Sequence, residues 1–285
     1  MLNFLSFVFP WLRRRWFYPL LSFAVGLSLV VAVPHPTQAQ IPWRDLIFRG
    51  IQAIQLSNLS QQQEVQIGRQ MNEQMAGRQF RLYRNAQVNN YVNEVGQRLA
   101  QASDRPNLPY TFQVVRDDNV NAFATMGGFV YITTGLMRTA DNEAQLASVL
   151  SHEIGHITSR HLVQQMRQAA IARGITTAAG LDGSTAVNLG VELALNRPLS
   201  RKDELEADQK GLQTLARAGY PQSAMIAFME KLLDKPSPPS FLSTHPATRD
   251  RIVAIERAIE PARANVGQGL DKTTYQSNIR PLLQQ

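Results

Sequence analysis

Residues 152–156 read His152-Glu153-Ile154-Gly155-His156, two histidines four positions apart with a glutamate after the first. Four residues of helix advance about 400°, so both imidazoles lie on one face, a turn apart, and can meet a single ion. Glu153 falls on the flank of that face, where its carboxylate reaches water on the ion without being a ligand. The chemistry expected of such a pentapeptide is zinc-assisted hydrolysis of a peptide bond. Glu153 would take the water's proton and return it to the leaving amine.

Catalytic zinc usually has three protein ligands and an open fourth position, and two histidines with one glutamate form such a set. The segment Ser200-Arg201-Lys202-Asp203-Glu204-Leu205-Glu206-Ala207-Asp208 carries a capping residue followed three positions later by an acid. That pattern opens a helix at about Arg201 and puts Glu204 and Asp208 on one face. Glu204 is the expected third ligand. Asp208, one turn on, is the expected acceptor for the far ring nitrogen of a ligand histidine. Glu206 points about 200° from Glu204 and is the weaker ligand candidate. His161, about 140° around a continuous helix from His156, should face away from the metal and serve packing or hydrogen bonding.

Five ordered segments carry a family likeness. They are His152 to His156; Ser200-Arg201 leading into Glu204-Leu205-Glu206-Ala207-Asp208; Asn121-Ala122-Phe123-Ala124; Gly127-Gly128 with Thr133-Thr134-Gly135-Leu136; and Ser243-Thr244-His245-Pro246. From about Glu64 to Ile259 the chain resembles the zinc metallopeptidases grouped with CAAX prenyl endopeptidase and HtpX, and among them the soluble envelope branch typified by BepA. The resemblance implies a gluzincin-like fold and one Zn2+ held by His152, His156 and Glu204. It also implies catalysis by Glu153 and endopeptidase activity on misfolded or unassembled proteins. By the same likeness His245 approaches the zinc, either filling the open position at rest or hydrogen-bonding the oxyanion, and Arg251 adds charge stabilisation there. The prenyl-protease and HtpX branches are multi-span membrane proteins, whereas this chain has one N-terminal apolar region. After Glu260 only 25 residues follow, short of one helical repeat of about 34, so the C-terminal repeat domain of the BepA-like branch is not expected.

The elements that must position these groups are legible in outline. Ser60-x-x-Gln63 opens an amphipathic helix to about Arg78, and Ala86 to Ala102 forms another, with Val88, Tyr91, Val92, Val95 and Leu99 at helical spacing. Tyr110–Val115 and Phe129–Thr133 read as strands, with Asp117–Asn121 as a turn. One long helix should then run from about Asn142 to Ala172. Phe129–Thr133 is expected to present an unpaired edge beside the metal, where Asn121, Gly127, Gly128, Phe129 and Val130 would bind substrate backbone as an added strand. The competing reading makes Gly127-Gly128 a turn that opens a core strand. Thr244-His245-Pro246 is placed at a helix start, with Pro246 as first helical residue and a capping role as the alternative for His245. Residues 174–196 hold Gly174, Gly180, Gly183 and Gly190 among small and apolar residues. They are expected to form a helical hairpin, read as a lid, as a membrane-surface contact, or as ordinary packing.

The fold class expected is therefore α+β, a mostly helical zincin-type domain with a small sheet beside the H-E-x-x-H helix. At 285 residues and 44% hydrophobic, one domain can bury a full core. Arg13-Arg14-Arg15 precede an apolar run from Phe17 to Val33, and Thr37-Gln38-Ala39 offers a cleavage site before Gln40. Residues 1–39 are read as a signal peptide or N-terminal anchor, and 40–285 as the protease domain with its core at about 60–260. The location is then periplasmic or otherwise extracytoplasmic. The net charge of +7 falls to +4 without that leader. The remaining basic residues are interspersed with acids, so no nucleic-acid partner is indicated; unfolded or misassembled polypeptides are the substrates that the resemblance implies. Absence of cysteine excludes a thiol nucleophile, cysteine-ligated zinc and a lipidated cysteine anchor. The rival function is a chaperone-like assembly factor that uses the same cleft without cutting.

Overall fold

The computed structural model describes residues 56, 58–174, 181–196, 198–235, 239–246 and 249–284. The leader or anchor assigned to residues 1–39 lies outside them, as do residues 175–180 of the expected hairpin. Among the described residues no helix is long and apolar enough to cross a membrane. The expected class is observed: helices surround a small three-stranded sheet.

The first helices among the described residues are α1 (Gln61–Arg78) and α2 (Ala86–Gln101). Ser60 and Gln63 form a reciprocal capping box at α1, and Asn85 caps α2 through Val88 N–H. The spacing of Val88, Tyr91, Val92, Val95 and Leu99 does bury one face of α2. Strands β1 (Thr111–Val115), β2 (Ala122–Ala124) and β3 (Phe129–Thr133) follow. The turn at Asp117–Asn121 leads into β2, a three-residue strand that periodicity is too short to reveal. The order is β1-β3-β2, with β1 parallel and β2 antiparallel to β3.

After the short α3 (Thr134–Thr139), α4 (Glu143–Thr158) carries the H-E-x-x-H segment. It is buried at every position from Ala144 to Ile157, because α2, β2, α7 (Arg201–Arg217) and α8 (Ser223–Leu233) pack around it. The single long helix expected to Ala172 is corrected: α4 stops at Thr158, and α5 (His161–Ala172) starts after a bend. Arg160 makes the bend with φ 57°, alone among the described non-glycine residues in positive φ. This conformation costs about 1–2 kcal/mol for an L-residue. It is held by a hydrogen bond from Arg160 Nη2 to Leu59 O (2.6 Å) and an ion pair from Nε to Glu64 Oε2 (3.3 Å). Glu64 is itself buried and gripped by both terminal nitrogens of Arg105, each at 3.0 Å, while Arg105 Nη1 also donates to Ile157 O in the last turn of α4.

Helix α6 (Gly183–Asn196) packs on α5 and α1, with Leu189, Val191 and Leu193 in a buried cluster that includes Met71 and Met166. This part of the 174–196 stretch is core, as in the ordinary-packing reading. The remaining elements are the one-turn α9 (Phe241–Thr244), α10 (Arg249–Ala258), α11 (Lys272–Asn278) and α12 (Arg280–Leu283).

Candidate active site

Helices α4 and α7 touch backbone to backbone. A Cβ built on Gly155 would stand 2.6 Å from Ala207 O, and one on Gly211 would stand 3.3 Å from His152 N. Any larger residue at Gly155 would separate the helices. The close approach is what lets Glu204, in the first turn of α7, reach between the two α4 histidines. Ser200 and Asp203 form the capping box that starts α7 where the sequence predicts it.

The ligating atoms converge. His152 Nε2 and His156 Nε2 are 3.0 Å apart, and each is 3.5 Å from an oxygen of Glu204. His245 Nδ1 stands 3.1 Å from Glu204 Oε1 and 3.4 Å from His152 Nε2. All four residues are buried, with one ligating atom each within 4.8 Å of the others. Tetrahedral zinc with bonds of about 2.0–2.1 Å sets its ligand atoms about 3.3 Å apart. The nitrogen and carboxylate donors present therefore fit zinc in both chemistry and spacing, and zinc is the cofactor of this centre.

His152 Nδ1 donates to Asp208 Oδ1 at 2.9 Å, leaving Nε2 as the metal-facing lone pair. Asp208 is in turn bound by Arg251, Nε to Oδ2 at 2.8 Å and Nη2 to Oδ1 at 2.7 Å. Burial opposes a charged His152, but Asp208 and Glu204 outweigh it and raise its pKa to about 10. Entry of a cation at Nε2 therefore displaces a proton. Burial and the neighbouring His152 hold His156 well below the ordinary histidine range, in its neutral ligating form. Burial raises the carboxylate of Asp208, and the bonds from His152 and Arg251 more than reverse it, so Asp208 stays ionised.

Glu153 is fully buried, and neither carboxylate oxygen has a hydrogen-bond partner. Burial pushes its pKa up against the opposing pull of His245 and His152. Its Oε1 lies 3.6 Å from His245 Nε2. An uncommitted, basic carboxylate at the edge of a metal site is what a proton-accepting base requires.

Four expectations change. Arg251, expected to add charge stabilisation at the oxyanion, instead turns its guanidinium to Asp208, Glu204 (Nη1 to Oε2, 2.6 Å) and Pro246 O (2.9 Å), behind the ligands. It holds the carboxylates in place. His245 does not sit at a helix start: it ends α9, stacks on Phe241 at 4.7 Å between centroids, and Pro246 lies in coil ahead of α10. His161 does not face away. The Arg160 bend swings its ring behind His156, Nδ1 to Nδ1 at 2.8 Å. Glu206, already the weaker ligand candidate, stays outside the cluster and accepts from Ser159 Oγ at 2.8 Å.

The fourth correction concerns substrate. Strand β3 is central and paired on both sides, so Phe129 and Val130 offer no free edge. Gly127 and Gly128 form a buried turn with φ 76° and 97°; a Cβ on Gly127 would meet Glu64 O at 2.8 Å. Asn121 is ladder-bonded to Thr133 at the entrance to β2. The edge strand on the site side is β2. Thr125 N bonds Phe129 O and Thr133 N bonds Asn121 O, so ladder bonds fall on Asn121, Phe123 and Thr125. The N–H and C=O groups of Ala122 and Ala124 then point off the sheet. Ala124 lines the cavity that also exposes Glu153 and His156, with Phe123, Met126, Leu193 and Ala194 as apolar walls. The only sequence signal for this edge was the Asn121-Ala122-Phe123-Ala124 segment itself.

A family model, Peptidase family M48, matches residues 86–259. The chain is 33% identical over 230 residues to the beta-barrel assembly-enhancing protease of Escherichia coli (strain K12), covering 74% of this chain and 47% of that protein. It is 32% identical over 234 residues to the protein of the same name from Yersinia pestis, covering 76% and 48%. With the mitochondrial metalloendopeptidase OMA1 of Schizosaccharomyces pombe it shares 31% over 185 residues, 61% of this chain and 53% of that one. The chain thus spans about half the length of these relatives. The family match takes in both ligand helices, the cleft strand β2 and the segment bearing His245 and Arg251, and on that match the chain belongs to peptidase family M48.

Proposed function

We propose that the chain is a zinc-dependent endopeptidase that hydrolyses exposed extended segments of misfolded or unassembled envelope proteins. The observation that carries the reading is Glu153, a buried carboxylate without a hydrogen-bond partner beside the convergent His152, His156 and Glu204. The names of the bacterial relatives, beta-barrel assembly-enhancing proteases, favour an envelope substrate and an extracytoplasmic location. The three ligands are His152, His156 and Glu204. Held there, zinc would supply Lewis-acid polarisation and a more acidic water near neutral pH.

The chain's own groups do the rest. Glu153 takes the proton of the attacking water and delivers it to the leaving amine. The raised basicity that burial gives Glu153 suits both transfers. Ala122 and Ala124 receive the substrate backbone as an added antiparallel or parallel strand, which binds sequence-tolerantly because the contacts are main chain. His245, poised over Glu204 and Glu153, either completes the metal set at rest or donates to the oxyanion. Asp208 and Arg251 fix His152 and Glu204.

The test is cleavage of reduced casein by the purified protein with zinc, run beside Glu153→Gln. Cleavage by the wild type and loss of about two to four orders of magnitude in the variant, with zinc retained in both, is the expected result. Zinc bound in both but no cleavage in either would favour the chaperone-like holding role instead.

A further inference from the structure

We propose that His161 is the positioning residue of the second histidine ligand: it accepts the Nδ1 proton of His156 and thereby fixes the tautomer that turns Nε2 to the metal. The proposal rests on zinc ligation by His156 and not on the identity of any substrate.

The two Nδ1 atoms are 2.8 Å apart, and the rings are 6% and 1% exposed. At that distance two ring nitrogens need one proton between them, since two lone pairs or two N–H groups would repel. The other nitrogen of His156 faces Glu204 Oε1 at 3.5 Å and His152 Nε2 at 3.0 Å, in the ligand cluster. Ligation requires a lone pair there, so the proton of the neutral His156 ring belongs on Nδ1 and is donated to His161. His161 then carries its own proton on Nε2. That N–H has no direct hydrogen-bond partner, but it points at two carboxylates of α7, Glu206 Oε2 at 3.6 Å and Asp203 Oδ1 at 3.8 Å. Their field stabilises this tautomer of His161 over the one with Nδ1 protonated.

Local structure is built to allow the contact. On an uninterrupted helix the two side chains would diverge by about 140°; only the left-handed Arg160 brings His161 back over His156. That conformation is secured by Leu59, Glu64 and, through Glu64, by Arg105. Ser159, the other residue of the bend, holds Glu206 in place. The two ligand histidines are thus supported differently, His152 by an anion tied to Arg251 and His156 by a neutral ring.

The experiment measures the zinc dissociation constant of the full-length protein by chelator competition, without substrate, for wild type, His161→Phe and His161→Asn. Phe fills the space with no acceptor, while Asn can place an oxygen near the position of Nδ1. A dissociation constant raised about 10- to 100-fold in His161→Phe is expected, with His161→Asn within about threefold of wild type. The visible bands of the cobalt-substituted protein should shift in His161→Phe and return in His161→Asn, a response that general loosening of the fold would not give. Wild-type affinity in His161→Phe, or equal loss in both variants, overturns the proposal. Should His161→Phe not fold, as judged by circular dichroism, His161→Gln takes its place, because its oxygen lies at the ε position; an affinity equal to that of His161→Asn would then overturn it.

Discussion

Asp208 Oδ1 lies 2.9 Å from His152 Nδ1, and the same carboxylate is gripped by Arg251 through both of its oxygens. The ligand's orientation is thereby tied to α10, a helix that contributes no ligand. Asp208→Asn keeps the shape but removes the charge, and zinc affinity should fall about 10- to 100-fold. Chelator competition measures it; unchanged affinity would show that the aspartate charge is irrelevant to ligation.

Arg251 is 1% exposed and neutralises both Asp208 and Glu204. In Arg251→Met those two buried carboxylates keep only the protonated His152 as counter-charge, and removing one partner of a buried ion pair destabilises a fold by about 3–5 kcal/mol. For a domain of this size that is a drop in Tm of about 10 °C. Scanning calorimetry on metal-stripped wild type and variant checks it, and an oxyanion role for Arg251 would instead predict lost activity at unchanged Tm.

Gly155 is the x before the second histidine, and its lack of a side chain sets the α4 to α7 distance. Gly155→Ala forces a methyl group to within 2.6 Å of Ala207 O. The overpacking should cost about 1–3 kcal/mol and move Glu204 away from the histidines. Zinc content after dialysis and Tm should both fall; retention of both would mean that the helices part without disturbing the site.

How much of this could be read beforehand depends on whether the signal was local. Ser60-x-x-Gln63, Ser200-x-x-Asp203 and the four-residue histidine spacing act within one or two turns, and their helices and ligand face were legible. Glu204 and Asp208 follow from the ligand count, which demands an acid, and from the capping box, which fixes its helix phase. What escaped depends on contacts between distant segments. The Arg160 bend is stabilised by Leu59 and Glu64, about a hundred residues earlier, so periodicity alone carries α4 through it and leaves His161 facing away from the metal. β2 is three residues long and pairs with β3 alone, so no local period marks it, and β3 reads as a free edge although it is the central strand. The position of Arg251 behind the ligands likewise follows from how α10 meets α7.

Ala124 offers a direct test of the reassigned edge. Its N–H points off the sheet, so Ala124→Pro removes one donor to substrate without breaking a ladder bond to β3. One hydrogen bond is worth about 0.5–1.5 kcal/mol, so kcat/KM on extended peptides should fall about three- to tenfold with zinc affinity unchanged. A comparable loss from removing side-chain volume at Val130, with Ala124→Pro silent, would return the binding role to β3.

His245 occupies a position that two mechanisms use in opposite ways. Its Nδ1 stands at ligand spacing from Glu204 and His152, 3.1 and 3.4 Å, while Nε2 faces Glu153. Ligand spacing at Nδ1 is the property of a fourth metal donor, whereas an oxyanion donor needs only to face the carbonyl site. On the first ground His245→Ala should bind zinc about tenfold more weakly, by loss of one donor, and cleave casein faster because the open position no longer has to be cleared. Zinc affinity at the wild-type value together with slower cleavage would assign His245 to the oxyanion instead. The two measurements must be made on the same preparation, since a gain in rate would otherwise be masked by loss of metal.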